Sequence, residues 1–280
     1  LDKQIIDLFI KNAVAEDLGD GDHTSLSTIP GDAQGQAKLI IKEDGILAGV
    51  ELAMQIFNYI DASLVVEVLL HDGQPVKYGD IVLYVSGKTH SILLAERLVL
   101  NCMQRMSGIA TKTHSIVNLL KDYKTKLLDT RKTTPGLKYI EKWAVRIGGG
   151  VNHRIGLYDM ILIKDNHVDY AGGIKNAIEA ANKYLKENSK TLQIEIEVRN
   201  LSELSTVLST GNVDRIMLDN FEIATLKEAI KLIDGQYITE ASGGITEANI
   251  IDYAACGVDY ISMGALTHSV KSLDMSLKAF

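Results

Sequence analysis

The sequence predicts a two-domain α/β protein whose second part is a parallel sheet curled into a barrel. Two observations carry this. From Lys126 onward, short apolar strand-like runs alternate with helical patterns, the rhythm of parallel strands joined by crossover helices. The residues before it lack that alternation, which places a boundary near Ser107-Gly108. Size agrees: 280 residues, 46% hydrophobic and 23% charged, suffice for two cores in an ordinary globular chain.

Taken in order, Ile5, Ile6, Phe9, Ile10, Ala13, Val14 and Leu18 fall on one helix face, and Gly19-Asp20-Gly21-Asp22 ends it. Residues 36–42 and 64–70 read as strands, with a helix at 50–60 between them. HDGQPVKYGDIVLYVSG reads as two strands joined around Gly79-Asp80. Two helical patterns follow, from about Ser91 to Met106 and from about Ile109 to Tyr123. The second part has strand-like runs at 126–128, 160–163, 193–198, 215–218, 237–240 and 260–263. Helices at 174–185, 201–208, 223–233 and 247–255 fill the gaps. A complete barrel has eight strands, so either two escape the pattern or the barrel is incomplete.

A net charge of -7, with no basic run, argues against nucleic acid as a partner. No apolar segment approaches the roughly 20 residues of a membrane span. The segment LDKQIIDLFI lacks the basic start and apolar stretch of a secretion signal, so a cytoplasmic protein is expected. Cys102 and Cys256 have no cysteine at metal or redox spacing and read as reduced, buried thiols. His23, His71, His90 and His114 read as surface or structural. No zinc cluster, nucleophile elbow or dinucleotide fingerprint is present.

The chemistry lies after the strands, since barrels of this kind work at the C-terminal ends of their strands. There the chain delivers Thr130, Arg131 and Lys132, then Lys164, then Asp219, then Ser242-Gly243-Gly244, then Met263-Gly264-Ala265. His153-Arg154 follows the three glycines at 148–150, which end a helix at Ile147. Any one of these cations alone is an ordinary solvated charge. Arg131, Lys132, Arg154 and Lys164 near strand ends in an acidic chain predict an anion site, with each arginine able to grip a carboxylate through two parallel N–H bonds.

In IEIEV, alternation places Glu195 and Glu197 on one face and the apolar residues on the other, towards the helices. The glutamates then face the barrel interior, where an unpaired carboxylate costs several kcal/mol, on the order of a lost buried charge pair. They need a cation: a buried lysine or arginine, or a metal. Glu197, nearer the strand end, is the stronger candidate. Glu197 with Asp219 has the hard oxygen donors that Mg2+ takes, although Asp219 or Asn220 equally suits a helix N-cap before Ile223. The glycines of the last two strand–helix loops suit a phosphate approaching backbone N–H groups, a recurrent barrel arrangement.

DTRKTTPG, AVRIGGGVNHR, DMILIKDNH, IEIEV, MLDNF, SGGIT and MGALTHS together resemble the quinolinate phosphoribosyltransferases, or nicotinate-nucleotide pyrophosphorylases (carboxylating). EDLGDGDHTS and AERLVLNCMQRMSGIAT extend the resemblance over nearly the whole chain. It implies an N-terminal α/β sandwich-like domain at 1–107, with the tail from about 270 to 280 packed on it. It also implies an incomplete TIM-like α/β barrel at 108–269. The implied reaction joins quinolinate and phosphoribosyl pyrophosphate with Mg2+, giving nicotinate mononucleotide, pyrophosphate and CO2 in NAD biosynthesis. By the same resemblance Arg131, Lys132, His153, Arg154 and Lys164 line the dicarboxylate and phosphate pocket, with Thr130 beside them. Glu197 and Asp219 form an acidic pair near ribose and Mg2+. Ser242, Gly243, Gly244, Met263, Gly264 and Ala265 cradle the 5'-phosphate. Arg97 resembles the arginine that members insert from the neighbouring subunit of a homodimer or larger assembly. Lys132, Lys164, Glu197 and Asp219 carry the catalytic expectation. The alternatives are a transferase for another pyridine or pyrimidine acid, or a non-catalytic phosphosugar or pyridine-acid sensor. A sensor has little use for the acidic pair.

Overall fold

Helix α1 (Lys3–Leu18) begins the fold in the computed structural model, which describes residues 3–280. Its buried residues Ile6 and Ile10 stand one turn apart, and Gly19, with φ +54°, ends it. After α2 (His23–Thr28) come β1 (Gln34–Ile41), β2 (Gly45–Ile46), α3 (Val50–Ile60), β3 (Val65–Val68), β4 (Pro75–Val76) and β5 (Ile81–Lys88). Helix α4 (Thr89–Leu119) closes this part. The chain then runs through β6 (Lys126–Leu128), α5 (Lys138–Ile147), β7 (Ile161–Ile163), α6 (Asp165–Ala171), α7 (Ile174–Glu187), β8 (Ile194–Val198) and α8 (Leu201–Thr210). It ends with β9 (Arg215–Asp219), α9 (Ile223–Ile233), β10 (Ile238–Ser242), α10 (Ile250–Ala254), β11 (Tyr260–Ser262), α11 (Ala265–His268) and β12 (Met275–Ala279).

These elements form two compact units. Of the described residues, the first comprises 3–114 with Thr133–Gly149 and Leu266–Phe280; the second comprises Ser115–Lys132 and Gly150–Ala265. The C-terminal strand lies in the first unit, where the tail was expected; α5 and residues 108–114 lie there as well, outside the expected bounds. That unit holds an antiparallel sheet in the order β12-β1-β5-β3. Alternation along β1 buries Ala37, Leu39 and Ile41, and β12 pairs with β1 through Leu39↔Leu277.

Two expectations change here. The patterns at 91–106 and 109–123 form a single helix, α4, which runs through Ser107-Gly108 without a break. Gly108 reads as a breaker but is a contact residue: a Cβ there would lie 2.2 Å from the carbonyl oxygen of Lys271. Ser107 beside it accepts from the Ala48 N–H at 2.8 Å and donates to the Ala48 carbonyl at 3.1 Å. The two strands around Gly79-Asp80 do form, as β4 and β5, but in different sheets, for β4 pairs with β2.

The second unit is a six-stranded parallel sheet in the order β6-β11-β10-β9-β8-β7. Every strand neighbours its successor except that the first, β6, joins the last, β11. That is a ring cut once, between β6 and β7, so the barrel is incomplete rather than short of unseen strands. Val151 covers the cut edge of β6: its N–H donates to the Leu127 carbonyl at 2.8 Å, and its carbonyl accepts from Asp129 at 3.2 Å. No helix among the described residues is long and apolar enough to cross a membrane.

Candidate active site

The C-terminal ends of the barrel strands enclose a cavity of about 510 Å³, lined by Thr130, Arg131, Lys132, His153, Arg154, Leu162, Lys164, Glu197, Met217, Asp219, Asn220, Glu240, Ser242, Gly243, Gly244 and Ser262. Each barrel strand, or the loop that leaves it, contributes to this lining, as the parallel arrangement requires. Eleven of the residues expected in the site are thus brought together. Met263, Gly264 and Ala265 do not line the cavity; Ser262 does. Met263 is buried, with its N–H turned back to the Leu128 carbonyl at 3.0 Å. Arg97 lies in the first unit, in α4, and lines a different cavity of about 520 Å³ with Glu16 and Asn101 among others.

Local structure aims the cations. The His167 ring accepts the Lys164 N–H through Nδ1 at 2.9 Å, starting α6 and leaving the lysine side chain to cross to Glu197, 3.7 Å away. Thr130 Oγ1 accepts the Lys132 N–H at 3.1 Å and turns the chain after β6. Arg154 is buried, with Nη1 donating to the Met160 carbonyl at 3.2 Å and Nε donating to nothing. Burial, then the Arg131 charge, lowers the Arg154 pKa. Two guanidiniums therefore repel across this side of the pocket.

The acidic side has the opposite imbalance. Burial raises the pKa of Glu197, the Asp219 charge raises it further, and Lys164 opposes both. Burial also raises Asp219, against a hydrogen bond from Asn220. Asp219 is not a helix cap: Glu222 holds that position for α9. The cavity is polarised, with Arg131, Lys132 and Arg154 on one side and Glu197 and Asp219, faced by Lys164, on the other.

The glycines of the SGG loop have a local cause. Gly243 and Gly244 take φ of +89° and +63°, and a Cβ on Gly243 would lie 2.2 Å from Asn220 Oδ1. Asn220, itself at φ +54°, donates its N–H to the Ser242 carbonyl at 2.8 Å, so the loops after β9 and β10 are locked together.

A charged cluster joins the lining residues His153 and Glu240 to Glu195 and Arg215. His153 Nε2 is 3.0 Å from Glu195 Oε2 and 3.4 Å from Glu240 Oε2, and Arg215 Nη1 is 3.3 Å from Glu240. Glu195 and Glu240 are fully buried. Glu195 thus takes the salt-bridge role weighed for it, with histidine as well as arginine as partner. Burial and the Glu240 charge push Glu195 up to about 7, against His153. Burial pulls His153 down, but hydrogen bonds and charges of both glutamates push it up to about 9. The cluster therefore keeps an extra proton at neutral pH. The Arg154 N–H points at His153 Nδ1 from 2.6 Å. Glu240, its pKa lowered, pairs as a carboxylate with Arg215. The three ligand-type groups lie within 4.8 Å of one another. However, a metal-bound histidine donates through its other nitrogen, and here that nitrogen faces the Arg154 N–H.

Sequence models of the quinolinate phosphoribosyl transferase N-terminal and C-terminal domains match residues 22–107 and 109–278. The chain belongs to this family. It is 47% identical over 284 residues to quinolinate phosphoribosyltransferase [decarboxylating] 1b of Nicotiana tabacum, covering 96% of this chain and 81% of that one. It is 44% identical to the probable nicotinate-nucleotide pyrophosphorylase [carboxylating] of Bacillus subtilis, over 94% of this chain and 89% of that one. The crystal structure of NadC from Streptococcus pyogenes superposes with a TM-score of 0.93 at 39% identity, covering 99% of this chain and 97% of that one. The family fold, an antiparallel N-terminal sheet and a parallel barrel, is the fold described above. Sequence reasoning missed Glu240, although alternation in ITEAS puts it on the same face as Ser242.

Proposed function

We propose that the chain is a decarboxylating pentosyltransferase. It moves the phosphoribosyl group of phosphoribosyl pyrophosphate to quinolinate, giving nicotinate mononucleotide, pyrophosphate and CO2 in NAD biosynthesis. The observation that carries this reading is Arg154, a buried guanidinium with an unpaired Nε, facing the same cavity as Arg131. A buried donor without an acceptor is costly, and a ligand carboxylate bound in parallel to Nε and Nη2 removes that cost. Arg131 with Lys132 takes the second carboxylate of the diacid, which is why both guanidinium groups are needed.

Held in this way, the pyridine nitrogen faces the acidic wall, where the sugar lies. Its lone pair forms the new bond to ribose C1 as the C1–oxygen bond breaks and pyrophosphate leaves with the electron pair. Orientation of the two substrates supplies much of the acceleration. Positive charge that develops on the ribose ring is stabilised by Glu197 and Asp219, fixed before the reaction starts. The resulting pyridinium accepts the electron pair of the carbon–carboxylate bond as CO2 departs, and that carbon then takes a proton. Ser242, Gly243 and Gly244 receive the 5'-phosphate. Glu197 and Asp219 are also the residues that would hold Mg2+: they are hard oxygen donors, and the charge of one already raises the pKa of the other. When bound, the ion supplies neutralisation of the leaving pyrophosphate. The reading includes a homodimer or larger assembly in which Arg97 of the neighbouring copy completes the pocket, on the strength of the AERLVLN match.

The test is an assay of the purified chain with phosphoribosyl pyrophosphate and Mg2+, offering quinolinate or nicotinate. Quinolinate is expected to yield CO2 and pyrophosphate together, and nicotinate neither. Pyrophosphate release with nicotinate and none with quinolinate would overturn the substrate assignment.

A further inference from the structure

The two cationic segments of the pocket come from separate stretches of chain. Thr130–Lys132 follows β6, and His153-Arg154 follows Val151. Burial first, and then the Arg131 charge, lowers the Arg154 pKa, so the two like charges repel one another. Something other than their own charges must fix their separation while no ligand bridges them.

One fully buried carboxylate spans both segments. Asp129 is the residue immediately before Thr130. Its Oδ1 accepts the His153 N–H at 2.8 Å, and its Oδ2 accepts from Asn152 Nδ2 at 2.6 Å. The backbone stitch at Val151 already brings the segments side by side, so distance alone does not need the side chain. Two bonds from one rigid carboxylate add an orientation that a single bond cannot. They also act close before Arg131 on one segment and Arg154 on the other. The His153 N–H held by Asp129 belongs to the residue whose Nδ1 receives the Arg154 N–H. The clamp thus continues, bond by bond, to the arginine backbone.

We propose that Asp129 is a positioning residue, which through Asn152 and the His153 backbone holds Arg154 at the spacing from Arg131 that a pyridine dicarboxylate requires. This rests on the reading of the pocket given above. It assigns Asp129 no contact with substrate. The bonds of the clamp lead to Arg154, on the diacid side of the cavity, so the sugar donor is expected to be affected far less than the diacid.

The pairing can be tested by exchange. In Asp129→Asn, one amide N–H2 must face another donor, at Asn152 or at the His153 N–H. In Asn152→Asp, two carboxylates face each other. In the double variant, the new amide at position 129 accepts from the His153 N–H and donates to the new carboxylate at position 152. Both bonds then return, the one between the two side chains with donor and acceptor reversed. At a temperature where circular dichroism shows each protein folded, both single variants are expected to raise the KM for quinolinate about 10-fold or more, in line with a lost buried hydrogen bond to a charged group. The KM for phosphoribosyl pyrophosphate should stay within about 3-fold, and the double variant should recover most of the quinolinate KM. A merely structural role moves both KM values together or neither. An unchanged quinolinate KM in the single variants, or failure of the exchange to restore it, overturns the proposal. If Asp129→Asn does not fold, Asn152→Ala, which leaves the Asp129–His153 bond intact, decides it by the same split between the two KM values. Arg154→Ala separates the levels: unchanged quinolinate KM there rejects the pocket itself, whereas loss there with normal Asp129→Asn rejects only the clamp.

Discussion

Arg154 and Glu197 face the same cavity with opposite electrostatic strain, and this contrast organises the site at the scale of single residues. Glu195 shows how burial sets protonation. Its folded pKa of about 7 lies above the ordinary carboxylate value from which the unfolded chain titrates. Such a group favours the fold while it is protonated and loses that contribution as pH rises through about 7. Glu195→Gln lacks this loss. Its melting temperature relative to the parent should therefore climb between about pH 5 and 7 and level off above; thermal melts across that range check this, and a pH-independent difference contradicts it. The cations after the strands were legible in the sequence, because four of them beyond strand ends in an acidic chain point together to an anion site, although any one alone does not. Asp129 was legible as a rim residue after the first barrel strand, but its role was not, and Glu240 was missed, since both depend on partners 23 and 25 residues away or on a neighbouring strand. Only folding brings those together.

Among the elements, α4 makes the clearest case for context over local propensity. A glycine in mid-helix normally costs about 1 kcal/mol relative to alanine, so Gly108→Ala in an open helix would stabilise. Here the new methyl meets the Lys271 carbonyl, and the substitution is expected to cost roughly 1–3 kcal/mol through overpacking. Urea denaturation of the variant measures it, and a gain in stability refutes the contact as the reason for glycine. The same lesson explains which elements the sequence disclosed. The barrel strands stood out because apolar runs between amphipathic helices have one economical arrangement. Strand β12 has a weak pattern of its own and becomes a strand by pairing with β1. Gly243 looked like a phosphate turn alone, whereas the Asn220 side chain independently excludes a Cβ there.

At the scale of the whole molecule, the boundary near residue 107 is where the two family domains meet along the sequence, yet the compact units of the fold cross it more than once. Sequence periodicity carries no record of such returns. Family membership fixes the reaction class, and the proposed assembly adds a requirement that the barrel pocket take Arg97 from a neighbouring copy. Arg97→Ala and Lys164→Ala should each be inactive alone, and mixing them with subunit exchange should restore some activity through hybrid sites. No recovery after confirmed exchange counts against a shared site. The central claim remains that fixed cations at the barrel mouth recognise two carboxylates on one pyridine ring. Calorimetric titration of the wild type and Arg154→Ala with quinolinate and with nicotinate measures it directly. The wild type is expected to prefer the diacid by roughly 10-fold or more, the value of one charged hydrogen-bonded pair, and Arg154→Ala to lose most of this preference. Equal affinity of the wild type for the two acids, or a preference untouched by the substitution, would contradict it.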